Sequence, residues 1–155
     1  MNKKAFSIFV MTTLFMLAPL SADAEIVEPQ NEPLNDSEQS RDEGLIISRS
    51  LYVSNDSDTI FITSKTLSNN TMAEIGEINI EVQRSSNGIN GWTTYTTAPK
   101  QTNYNSNAHY LDDYGIDVSS GYYYRVKLTH YAKEQGWFFP DSQSITVTSG
   151  VLWIN

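Results

Sequence analysis

Ile78-Asn79-Ile80-Glu81-Val82-Gln83 alternates apolar and polar side chains without a break. A period of two places successive side chains on opposite faces of an extended backbone, so the stretch predicts a half-buried β-strand with Ile78, Ile80 and Val82 turned inward. Downstream, Asn87-Gly88 and Asn90-Gly91 are dipeptides that accept positive φ, and they predict a hairpin turn leading into a run from Trp92 to Thr97. Upstream lies Thr59-Ile60-Phe61-Ile62-Thr63, rich in β-branched residues. Before it, Leu51-Tyr52-Val53 ends at the turn-forming Ser54-Asn55-Asp56. Ser68 to Met72 is polar and reads as a turn, or as one helical turn capped by Ser68 or Asn69. Toward the C-terminus follow a weaker strand from Tyr104 to Leu111, a long one from Gly121 to Tyr131, and a last one from Ser144 to Thr148. Seven short strands at this spacing predict an all-β domain over residues 45–155, a single antiparallel β-sandwich.

The flanking sequence is of a different kind. In residues 1–24, Lys3 and Lys4 precede an apolar run from Ala5 to Leu17, Pro19 follows, and Ala22-Asp23-Ala24 places small residues where a signal peptidase inspects them. These are the marks of a secretory signal peptide, with cleavage expected before Glu25. The apolar run is short for a membrane span, so the product is expected to be secreted, with no stable membrane insertion after cleavage. Residues 25–44 hold Glu25, Glu28, Glu32, Asp36, Glu38, Asp42 and Glu43 against a single Arg41. With almost nothing apolar to bury, this acidic segment predicts a disordered linker. Whether it is trimmed, or meets a basic partner, stays open.

The whole chain has 155 residues, 10 Lys and Arg against 18 Asp and Glu, and no cysteine. That composition leaves no disulfides, thiolate nucleophiles or zinc–thiolate sites. A net charge of −8 argues against nucleic-acid binding, which needs a basic footprint.

Ile116-Asp117-Val118-Ser119-Ser120-Gly121-Tyr122-Tyr123-Tyr124-Arg125-Val126 resembles the entry to the sixth strand of fibronectin type III domains. The resemblance implies a tyrosine corner, in which a ring packs in the core while its hydroxyl bonds backbone upstream. Tyr122 stands six residues after Ile116, the spacing that corner would use. Tyr124, Val126 and Leu128 share its parity and are expected inside, with Tyr123, Arg125, Lys127 and Thr129 outside. Residues 51–154 also resemble a family of small secreted proteins of Gram-positive bacteria with no assigned function. Ile75-Gly76, the strand from Ile78 to Arg84, the run from Asn87 to Trp92, and Gly121 to Lys127 followed by His130 carry that likeness. It implies a secreted β-module of fibronectin type III or immunoglobulin kind, with Trp92, Ile116, Tyr122 and Tyr124 as structural residues. The early-strand Trp and Pro-rich start of the fibronectin pattern are absent, which leaves the strand order open.

Little in the chain points to catalysis. His109 and His130 each fall in a predicted strand, with Asp112 and Asp113 near the first. A histidine–carboxylate metal site would require those strands to pair, and neither histidine has the spacing of a dedicated metal motif. Serines abound, but no Gly-x-Ser-x-Gly elbow marks one, and no glycine-rich loop opens a helix. The expectation is a non-enzyme with no cofactor and no metal. Aromatic residues are the stronger signal. Trp137-Phe138-Phe139, bracketed by Gly136 and Pro140, reads as a hairpin tip that could present large apolar groups. Tyr95, Tyr123 and Tyr131 are candidates to extend that surface toward a glycan, wall polymer or extracellular protein. Two other readings stay open: the loop folds back as core, or the domain is a structural, self-associating β-domain that joins through its sheet edges.

Overall fold

The computed structural model describes residues 44–155, so the expected signal peptide and nearly all of the acidic segment lie outside the described residues. The described chain is all-β, with no helix. Its strands are β1 (Ser48–Asp56), β2 (Thr59–Ser85), β3 (Thr93–Ala98), β4 (Gln101–Asp117), β5 (Tyr122–Lys133), β6 (Ser142–Thr148) and β7 (Leu152–Ile154). They form one antiparallel sheet in the order β1-β2-β5-β6, with β3 and β4 also paired to β2 and β7 paired to β5.

β2 is the spine of this sheet. Its first half pairs with β1 on one edge and β4 on the other, and its second half pairs with β5 and then β3. The polar stretch from Ser68 to Met72, read as a turn, lies inside this 27-residue strand. Leu67 pairs with Ala108 and Met72 with Ser106, so four residues of β2 bulge out against Asn107 alone. Bulges increase local twist and bend a strand, which lets one long strand carry the sheet around its own core. At Gly76 the approach of β4 is close. A Cβ there would land on the Gln101 carbonyl and 2.7 Å from the Thr102 Cα, and its φ of 151° suits glycine alone.

A second bulge resets the side-chain phase. Ile78 pairs with Thr129 and Glu81 with Lys127, leaving Asn79 and Ile80 opposite Leu128. Asn79 takes a φ of 52°, a left-handed value that asparagine tolerates better than most residues. Ile80 and Val82 therefore face the interior as expected, but Ile78 is only half-buried and Glu77 points inward instead. The alternation in the sequence is real on one side of the bulge and broken on the other.

The curl brings Val53 of β1, Ile60 and Ile62 of early β2, Ile80 and Val82 of late β2, and Leu111 of β4 into one cluster with Tyr124, Val126 and Leu128 of β5. Leu152 and Ile154 of β7 close it. A smaller cluster of Ile46, Met72, Ile75 and Ala132 sits beyond the Gly76 crossing. Tyr124, not Tyr122, makes the corner. Its ring is fully buried, its hydroxyl donates to the Ser119 carbonyl at 2.8 Å, and the Ser119 N–H donates back at 3.2 Å. Tyr95 meets Tyr124 edge-on at 5.6 Å, while half-buried Tyr122 carries the Arg84 guanidinium 4.8 Å from its ring centroid. Thr129, expected outside, is buried, and its hydroxyl bonds that of Thr146 at 2.9 Å.

Candidate functional site

The β5–β6 connection is the first candidate. β5 ends where Lys133 pairs with Ser142, and the Glu134 N–H donates to the Asp141 carbonyl at 2.9 Å, closing the base of a hairpin loop. At its tip Trp137, Phe138 and Phe139 are 98, 87 and 96 % exposed. Phe139 has a φ of 50°, an unusual conformation for a bulky side chain. Each such ring would cover on the order of 150–250 Å² in a core, so three in a row make a large apolar patch in water. The reading in which this loop folds back as core does not fit these exposures.

The other candidate aromatics are scattered. Tyr123 packs on Trp153 of β7 with ring centroids 4.6 Å apart, and Tyr95 sits against Tyr124 with its hydroxyl 3.2 Å from the Ser119 hydroxyl. Both lie toward the start of β5. Tyr131 lies eight residue steps along β5 from Tyr123, a span of roughly 26 Å at strand rise. Of the three, only Tyr131 approaches the loop. Trp92 lies outside the core under the Arg125 guanidinium, 4.3 Å from its ring centroid, and Ile116 is half-buried against the main cluster.

Tyr131 opens onto a groove of about 640 Å³ that the sequence reading did not foresee. It forms where β2 exchanges partners on one edge: Ile80 pairs with Ala98 of β3 and Glu77 with Gln101 of β4, so on that edge Ile78 and Asn79 face the Pro99-Lys100 connection with no β3 or β4 partner. Glu74, Asn79, Glu81, Thr97, Lys100 and Tyr131 supply its polar walls. Lys100 Nζ lies 2.5 Å from Glu74 Oε1, which also accepts from the Thr102 hydroxyl at 2.9 Å. Hydrogen bonding from Lys100 outweighs partial desolvation and holds the Glu74 carboxyl below its ordinary range.

The third feature is a carboxylate buried among hydroxyls and imidazoles. Glu77 is fully buried on β2 and accepts from the Ser64 hydroxyl at 2.9 Å and the Thr66 hydroxyl at 2.8 Å. Thr66 Oγ also lies 2.8 Å from His130 Nδ1. Because the Thr66 proton goes to the carboxylate, its oxygen accepts from His130, which assigns the His130 proton to Nδ1. Among the described residues His130 Nε2 is then left buried without a partner. His109 Nδ1 lies 2.5 Å from Glu77 Oε2 but out of line with the ring N–H, a close polar contact rather than a formed hydrogen bond. Burial alone would raise the Glu77 pKa; the close His109 and His130 imidazoles and the hydrogen bond from the Thr66 hydroxyl override it and bring the value to about 2. The histidines thus share a carboxylate, but it is Glu77 and not Asp112 or Asp113. β4 and β5 do not pair; His130 of β5 stands directly opposite Glu77 in the ladder, while His109 of β4 stands opposite Thr66 of β2. Among the described residues no three His, Asp or Glu side chains are arranged to hold a metal ion.

Glu77 was illegible because the alternation around Ile78 assigns it to the solvent face. The signal that could have revealed it is the left-handed tolerance of Asn79 within an otherwise regular strand. No family model, curated protein or solved structure matches the chain.

Proposed function

We propose that this protein is a secreted, non-catalytic β-module that binds a cell-surface glycan, wall polymer or extracellular protein through exposed aromatic side chains. One observation carries the reading: Trp137, Phe138 and Phe139 stand almost wholly in water on a closed hairpin. Single exposed hydrophobes need no explanation, but three consecutive large ones form a patch of the kind that marks contact surfaces. Signal cleavage after Ala24 would release the chain, and the acidic residues 25–44 would act as a spacer. The Tyr124 corner fits a fibronectin type III-like sandwich as the scaffold, and no cofactor enters the reading.

The test is retention of residues 25–155 on peptidoglycan, teichoic acid and a glycan array, beside the Trp137→Ala, Phe138→Ala variant. Specific retention that disappears in a still-folded variant supports the module. Equal retention by both proteins overturns the role of the loop.

A second reading, self-association, has its own observation. Among the described residues β6 pairs with β5 alone, and Ser142-Gln143-Ser144-Ile145-Thr146-Val147-Thr148 carries neither charge nor proline on its other edge. Sedimentation at rising concentration separates the two, since only self-association raises the mass.

A further inference from the structure

The groove beside Tyr131 has a chemistry more specific than the loop. We infer that it is a subsite for a neutral oligosaccharide, an inference that rests on the glycan form of the reading above.

The electrostatics come first. Two carboxylates and one ammonium line the groove, and the ammonium of Lys100 is already held by Glu74 and by the Tyr104 hydroxyl at 3.2 Å. Glu81 accepts from the Gln83 amide at 3.1 Å and, weakly, from the Thr94 hydroxyl at 3.5 Å. Among the described residues no cation is in ion-pair contact with it. Lys127 stands opposite Glu81 in the ladder without closing an ion pair, and the groove lining itself carries one more negative than positive charge, which favours a neutral ligand over a polyanion. A ligand rich in hydroxyl donors would meet spare acceptor capacity on the carboxylate.

The shape agrees. Ile78 and Ala98 give the groove apolar surface, Tyr131 an aromatic one, and Asn79, Glu81 and Thr97 hydrogen-bonding groups. A molecule with an apolar C–H face and a hydroxylated edge matches that division, and a sugar ring has both. The volume lies within the range of small-molecule sites, about 300–1,000 Å³. The groove is made by backbone irregularity: the left-handed Asn79 and the gap between the β3 and β4 ladders on that edge of β2 shape it. Strained or bulged positions of this kind cluster at binding sites.

Placement ties it to the loop. Tyr131 stands two residues before Lys133, where the aromatic hairpin begins, and Lys133 pairs with Glu74 of the groove wall. An extended saccharide chain can lie in the groove and continue toward Trp137.

The experiment is a titration of ¹⁵N-labelled protein with soluble tetrasaccharides of N-acetylglucosamine, glucose and mannose, with oligomeric glycerol phosphate as the anionic control. At least one neutral tetrasaccharide is expected to shift the amides of Asn79, Glu81 and Thr97, and the glycerol phosphate none of them. Glu81→Gln and Thr97→Trp, the latter an exposed position where the indole would fill the groove, are each expected to weaken that binding about tenfold or more. Their melting curves check folding, and either variant suffices if the other unfolds. No shift with any neutral saccharide, shifts confined elsewhere, or wild-type affinity in both variants overturns the subsite. If those variants bind normally while the Trp137→Ala, Phe138→Ala protein loses retention, the groove fails and the loop stands. The reverse pattern removes the loop and leaves the groove.

Discussion

Glu77 and Trp137 sit on opposite sides of the rule that charges stay outside and large hydrophobes go in. Glu77 is an ionised carboxylate with no solvent contact, while Trp137 is an indole almost wholly in water. Each departure has a different physical support. Around Glu77 the fold supplies two hydroxyl donors and a close imidazole, so desolvation is offset by short polar contacts. Around Trp137 the described residues leave the indole almost wholly uncovered, the exposure on which the proposed contact surface rests. The first departure belongs to the architecture of the sheet, and the second to what the sheet presents.

That contrast predicts opposite responses to substitution, and the largest is at the carboxylate. Glu77→Ala strands Ser64, Thr66, His109 and His130 around a void. It is expected to cost about 3–5 kcal/mol in urea unfolding, the scale for breaking a buried charged contact from one side. A loss below about 1 kcal/mol would mean that the cluster is hydrated and carries little weight.

Next comes acid. The Glu77 pKa is lowered from 4.5 to about 2 in the folded chain. Its contribution is therefore complete above the unfolded value and disappears as pH falls through the folded one. Stability is expected to drop by roughly 3 kcal/mol across that window, since each pKa unit is worth about 1.4 kcal/mol. Urea midpoints measured through this range should fall in the wild type. They should fall less in Glu77→Gln, which has no proton to gain there.

A smaller effect sharpens the same cluster. Thr66→Val keeps the shape but removes the hydroxyl between His130 and Glu77, and about 1–3 kcal/mol is expected. A spectroscopic check is available: the His130 Nδ1 proton should lose its hydrogen-bonded NMR shift. The smallest effect belongs to the loop. Trp137→Ala with Phe138→Ala should change folding stability by no more than about 0.5 kcal/mol, the range of surface substitutions. A loss of several kcal/mol would place the rings in the core.

The sequence was legible where side-chain periodicity and backbone register coincide. Ile60 and Ile62, Ile80 and Val82, and Tyr124, Val126 and Leu128 are all fully buried where period two places them. The strand–loop–strand reading around Gly136 and Pro140 also matches the chain path. What stayed hidden depends on pairing. Ser68 to Thr71 has turn composition, yet β4 pairs on both sides of it and draws it into β2 as a bulge. The Asn79 bulge exchanges the fates of Glu77 and Ile78, a phase change that local composition does not announce. The groove follows from the same bulge and from the β3–β4 connection, so its walls come from separate strands and form no motif. The fibronectin-like spacing pointed to a tyrosine corner but named Tyr122; the hydroxyl that bonds the Ser119 backbone carbonyl belongs to Tyr124.

The most direct test of the account is the environment of Trp137 itself. In a Trp92→Phe, Trp153→Phe protein it is the sole indole, and its fluorescence can be quenched with acrylamide before and after binding to whichever polymer retains the wild type. The account predicts red-shifted emission and quenching close to that of free tryptophan in the unbound protein, with a blue shift and shielding on binding. Emission already blue-shifted and shielded in the unbound monomer would contradict it, because the loop would then be part of the core.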